Sequence, residues 1–335
     1  MDQEAVQRIS AAMPDVRQVL EDAEGPVGEQ HTVSKVLLKQ FAGHGGRDNR
    51  RIIPFSLEYP DSRHRSKSPR ECGKVPDFVK FGSGHLERHV WKPIEDALPD
   101  ALAAVDDRTV FDRPEHVATI KNAIILHFVR STQIRDLQRD IWPHLVARKR
   151  EWWLSSGATL LDHGYRLHHG LYPGSVQERQ RFLEERLQLW LDTAESELLF
   201  DARLEALFHQ GCEMVADFGL EILTPERGQF LIGDVPALTV RHDRNKAGVR
   251  SGIALGDAHS VVLPLGPRRL AAFGPVNGYG TIPVDLRDRL NGIQVQGADR
   301  YVYFRPGSGL EEFVRSQPRV QAVSRGVGRQ GFSVA

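Results

Sequence analysis

The chain has 335 residues, of which 40% are hydrophobic and 26% charged, and 44 Lys and Arg balance 44 Asp and Glu. That length can bury a sizeable core, and the even charge leaves no global field to attract nucleic acid or an anionic membrane. Two distant cysteines, Cys72 and Cys212, form no CxxC pair, which argues against a disulfide framework or a cysteine zinc site. The start is acidic and no run of ~18 apolar residues occurs, so a soluble, cytoplasmic protein is expected.

Val6, Ile9, Met13, Val16 and Leu20 recur at helical intervals, with Pro14 a kink, and a Gly-Pro linker follows up to residue 30. His31 then stands ahead of a short helix that Ser34 can cap, that Leu37, Leu38 and Phe41 make amphipathic, and that Gly43 can end. Ile52 to Tyr59 reads as a strand. Asp61 to Lys74 holds Arg63, His64, Arg65, Lys67 and Arg70 with almost nothing apolar; a solvated loop is the main reading, an anion-binding loop the minority one.

Leu86 to Val105 has a helical face that Pro93 and Pro99 should break into pieces. A longer helix starts near Pro114 and runs to about Leu145, with His127 and Ser131 inside its apolar side and Arg130 at the edge. A third covers roughly Val176 to Phe208. His163, His168 and His169, bracketed by glycines, are expected in a polar loop between helices, since no HExxH or cysteine pair accompanies them.

After Phe218 the period changes to that of strands, separated by Gly, Pro or Asp. The run Phe230-Leu231-Ile232 ends at Gly233-Asp234, Pro236 stops its ladder, and Val261 to Leu265 could pair with it. A helix near Val284 to Gln296 and a strand Tyr301 to Phe304 come next. The tail from 306 to 335 offers little to a core and should be frayed. The fold class is α+β: a mostly helical first two-thirds on a small, mainly antiparallel C-terminal sheet, as one domain over 31–305.

Several segments in order resemble one family. They are His31 to Ser34 with Leu38 to Ala42, Ile94-Glu95, Phe128 to Thr132, Phe230 to Pro236, Val262 to Leu265, and Leu290-Asn291 followed by Ala298 and Arg300. Together they are similar to the bacterial domain-of-unknown-function family DUF4238. Thr32 stands where that family has an aromatic, Ser34 where it has proline, and Gly233 where it has a small polar residue. The resemblance implies a grouping and a set of positions, without a reaction.

His31, Arg130 and Asp234 are the candidate catalytic residues. An imidazole titrates near neutrality, a guanidinium on an apolar helix side needs an anionic partner, and a carboxylate ending a core strand can orient a base. Each has a plainer alternative: a local cap for His31, a structural bridge from Arg130 to Glu95 or Asp234, and an Asx turn for Asp234. Lys39, Glu95, His127 and Asn291 are the accompanying candidate binding residues. If the three converge in a cleft, acid–base hydrolysis of a phosphodiester or other anionic substrate is the expectation. Otherwise the same cluster binds a small anion or a partner without chemistry. No cofactor is expected; a divalent metal has no support from spacing. Neither GxSxG nor a phosphate-loop motif is present.

Overall fold

The computed structural model describes residues 25, 27–43, 50–195, 197–241 and 247–318. The expected N-terminal amphipathic helix lies outside the described residues. Strand β1 (Glu29–His31) leads into helix α1 (Lys35–Gln40). The Ser34 side chain accepts the Val36 N–H and caps α1 as expected, while the helix stops at Gln40, short of Gly43. Strands β2 (Ile53–Ser56) and β3 (Lys74–Pro76) follow, β2 being shorter than its apolar run. β3 pairs antiparallel with β1, which sets His31 opposite Lys74. At the turn before β3, Gly73 has φ +67, and a Cβ there would press on Val33 and Leu38. Only glycine suits that crowded left-handed position. Its carbonyl accepts the Thr32 N–H at 2.9 Å, so Gly73 helps to fix the backbone just after His31.

A helical turn (Ser83–His85) and a π-helical stretch (Leu86–Trp91) run straight into α2 (Lys92–Asp106). The expected breaks at Pro93 and Pro99 do not occur. Pro93 sits in the first turn of α2, and Pro99 faces solvent, where water can take the carbonyl that it deprives of a partner.

The expected single helix from Pro114 is two, α3 (Pro114–Val129) and α4 (Thr132–Leu154). Ser131 divides them, because its side chain accepts the Ile134 N–H and starts a new helix. Arg130 is therefore at a helix junction and not on a continuous face. Next come α5 (Ala158–His169), α6 (Val176–Glu195) and α7 (Leu198–Met214). The three histidines expected in a loop lie on α5, which Gly170 ends at φ +79. The expected helix through Phe208 breaks before α7 at Glu197, whose φ is +64.

The second half builds two sheets from β4 (Gly219–Pro225), β5 (Ile232–Gly233), β6 (Leu238–Val240), β7 (Ser260–Gly266), β8 (Arg269–Gly274), β9 (Gly278–Ile282), helix α8 (Val284–Gly297) and β10 (Tyr301–Phe304). The larger runs β6-β7-β8-β4-β9 and is antiparallel except where β4 meets β9. The smaller is antiparallel β2-β10-β5. The apolar run ending at Gly233 thus pairs with β10, not with Val261 to Leu265, because β6 and β8 already occupy both edges of β7. The architecture is α+β, helices first and antiparallel-rich sheets last.

The main core joins α1, α2, α3 and α7 to the larger sheet, with Leu37, Leu98, Ile124, Leu204, Leu263 and Ala271 all nearly inaccessible. A second core holds Phe55, Leu231, Val302 and Phe304. Onto it docks helix α9 (Leu310–Ser316), through Leu310 and Val314. This corrects the expectation of a frayed tail as far as Ser316; spacing of four puts both leucine and valine on one face. Leu310→Ala should lower unfolding stability by about 2 kcal/mol in a denaturant titration, whereas a dispensable tail would show no change.

Candidate functional site

The N-terminal turn is held against α3 by a histidine. Ser34 donates its backbone N–H to His127 Nε2 at 3.1 Å, and His127 Nδ1 donates to the Ala123 carbonyl at 2.7 Å. With Nε2 accepting, the proton sits on Nδ1, and the ring is neutral. Burial, then the Arg130 charge, pushes its pKa down to about 4. His127 is inaccessible and has both nitrogens engaged with backbone, so it positions the turn that holds His31.

Arg130, at the end of α3, is 1% exposed. Its Nη2 donates to Glu95 Oε1 at 2.7 Å, and its guanidinium lies 4.9 Å over the Trp91 ring. Glu95 is 25% exposed, so the pair lies at the boundary between core and surface. Burial would raise Glu95, but Arg130 beside it prevails and holds the carboxyl below its ordinary range. Half-buried Glu87, from the π-helical stretch, feels the same guanidinium, yet burial keeps it above the ordinary range, with Glu95 adding to the effect. The two carboxyl groups are thereby driven apart in acidity, as they are in acid–base sites.

His31 joins this cluster from the other side. Burial lowers its pKa first, then Lys35, Lys74 and Arg130, against the pull of Glu95. The ring is neutral at pH 7. Its Nε2 is buried without a hydrogen-bond partner, and so is Nε of Arg130. Each such atom forfeits roughly 1–3 kcal/mol.

Asp234 does not join them. Its carboxylate accepts the backbone N–H groups of Asp299 at 2.7 Å, Arg300 at 2.8 Å and Tyr301 at 3.0 Å. Burial and the Asp299 charge push it up to about 6 against those amides; neither His31 nor Arg130 is among the charges acting on it. It clamps the turn between α8 and β10, a structural role, but not the local Asx turn expected of it, since these amides lie 65 to 67 residues away. Asn291 is similarly committed: it accepts from Leu231 N and donates to the Gln229 carbonyl, while Gln294 accepts from Gly233 N and donates to Pro236 O. The apolar run and its Asp-x-Pro ending are tied to α8 and β10. Lys39 is exposed on α1.

Sequence reasoning therefore reached His31, Glu95, His127 and Arg130 and overlooked Glu87 and Lys35. Lys35, the first residue of α1, could have been found from its place four residues after His31. Glu87 sits in a polar Glu-Arg-His run that reads as solvated face. Burial also pushes the Cys72 and Cys212 thiols up to about 11, so neither supplies a ready thiolate. Among the described residues no three His, Cys, Asp or Glu side chains are grouped to hold a metal ion, and no helix is long and apolar enough to cross a membrane.

The family described as "Protein of unknown function (DUF4238)" matches residues 29–308, and the chain belongs to it. No curated protein and no solved structure matches the chain.

Proposed function

With that membership as premise, we propose that the chain is a hydrolase of a small anionic substrate, acting at the cluster of His31, Glu87, Glu95 and Arg130. The observation that supports this reading is the pair of buried, unpartnered nitrogens, His31 Nε2 and Arg130 Nε, in one electrostatic neighbourhood. A bound substrate and water would satisfy both: a substrate oxygen accepts the Arg130 Nε–H, and a water O–H donates to His31 Nε2. Arg130, held by Glu95 and Trp91, would bind a phosphoryl or carboxyl oxygen of the substrate. Neutral His31 would take a proton from water as the hydroxide adds to the electrophilic centre. Glu87, whose burial favours the protonated form, would deliver a proton to the departing oxygen. One water is consumed, and once the products have left, the proton on His31 returns through solvent to Glu87, which restores both groups.

His31→Phe tests the reading. The substitution removes the unpartnered nitrogen from a half-buried site, so thermal stability should hold or rise slightly. Hydrolysis of bis(4-nitrophenyl) phosphate should fall by about 10²–10⁴-fold, the usual contribution of a general base. Wild-type protein inert towards this diester and towards 4-nitrophenyl esters, or a variant as active as wild type, would defeat the proposal. A non-catalytic anion site is the second reading. It is favoured by the closed Arg130–Glu95 pair and by the fact that neither of the two described cavities is lined by any of the four residues. Binding of the diester in calorimetry with no turnover would select it.

A further inference from the structure

A second polar site lies on the β2 side of the molecule, with no residue in common with the cluster around Arg130. Arg51, Arg63 and Arg65 converge on one open groove whose other walls are Ile53, His64, Ser66 and Pro306. Two separate segments bring these guanidinium groups together, the lead into β2 and the loop that follows it. That loop is braced. Ile52 and Lys67 exchange backbone hydrogen bonds at 3.0 and 2.9 Å, and a capping box joins Ser68 to Glu71. His64 packs at a tilt against Phe55 with ring centroids 4.1 Å apart, accepts the Ser56 N–H at Nδ1, and so donates Nε2–H to the Pro60 carbonyl.

The arginines themselves are unbalanced. Among the described residues no carboxylate forms an ion pair with Arg51, Arg63 or Arg65, whereas Arg139, Arg150, Arg179 and Arg315 each hold a carboxylate oxygen within 2.8 Å. In a chain of zero net charge, three like charges gathered around one groove raise the local positive potential, which draws a multivalent anion more strongly than a monovalent one. Guanidinium forks match phosphoryl oxygens in geometry as well as charge, and the Ser66 hydroxyl adds a donor. The groove is open, and most of the residues that line it are polar.

We propose that this groove binds a phosphorylated small molecule through Arg51, Arg63 and Arg65, with a diphosphate preferred over a single phosphate. Two phosphoryl groups can engage three guanidinium groups at once; one cannot. The site is independent of the proposed hydrolytic cluster, and its ligand need not be the substrate.

Calorimetric titration of the full chain with pyrophosphate at low ionic strength tests this. One saturable site is expected, tighter for pyrophosphate than for inorganic phosphate. Arg63→Gln with Arg65→Gln should weaken it at least tenfold, the effect of losing a charge-assisted contact or two. Both side chains are exposed, so the thermal midpoint should not move. Arg203→Gln, an exposed arginine on α7, should leave binding intact. The proposal is overturned by the absence of saturable binding, by a double variant that binds as wild type does, or by equal weakening in the Arg203 control. A single-stranded oligonucleotide that binds where pyrophosphate does not would also overturn it, in favour of a polymer-binding surface.

Discussion

Glu95→Gln is expected to destabilise the fold by about 3–5 kcal/mol, and more than Arg130→Met does. The two members of the pair are not equivalent: the arginine is 1% exposed and the glutamate 25%. Neutralising Glu95 leaves a guanidinium charge in the core with only the face of Trp91 to stabilise it. An uncompensated buried charge is the main cost of breaking such a pair. Removing Arg130 instead leaves a carboxylate that a small movement can hydrate, and methionine fills much of the vacated volume, so about 2 kcal/mol is the expected loss. Urea unfolding of both variants at pH 7 gives the comparison. A larger loss for Arg130→Met would show that Glu95 is the desolvated partner.

Acid should weaken the protein through His127 by about 3 kcal/mol between pH 6.5 and 4. The folded ring has a pKa of about 4, against 6.5 for a free histidine. Between those values the unfolded chain binds a proton that the folded one refuses, so this contribution is complete above pH 6.5 and is lost as pH falls to about 4. Asp201 and Asp234, pushed up to about 7 and about 6, act in the opposite sense: they favour the fold as they protonate. A difference measurement removes them. The stability gap between wild type and His127→Gln should shrink by about 3 kcal/mol from pH 7 to pH 4. A constant gap would mean that the ring titrates normally, and that its bond from Ser34 does not depend on an unprotonated Nε2.

What the sequence made legible was local. Ser34 announces the α1 cap, and the change of period after Phe218 announces the sheets, because each is written in neighbouring residues. Arg130 on an apolar side had to find a carboxylate, and Glu95 was one of two within the reasoning. Choosing between Glu95 and Asp234 was not possible, since the amides that occupy Asp234 belong to residues 299–301. Those contacts span 65 to 67 positions. Apolar periodicity ran unbroken through Arg130 and Ser131 because α3 and α4 both bury residues there, so only the serine's capping geometry revealed the junction. The role of α9 was concealed by its composition: two buried side chains, Leu310 and Val314, suffice to dock seven residues.

The π-helical stretch Leu86–Trp91 has a consequence for phase. Glu87 and Glu95 are eight residues apart, which in an unbroken α-helix puts them ~80° apart around the axis. A π turn takes up one extra residue, so the pair is related roughly as positions seven apart, and the angle closes to ~20°. Trp91, midway, then belongs to the same stripe, and the two carboxyl groups and the indole all address Arg130. Deleting one residue between Leu86 and Trp91 would let the segment relax to an ordinary α-helix with every hydrogen bond made. Glu87 would then stand seven residues before Glu95 in an unbroken α-helix, still ~20° from it, and would keep its place on that stripe. The π turn is thus the mark of one extra residue taken up without cost to the stripe, and without it the cluster would keep both acids.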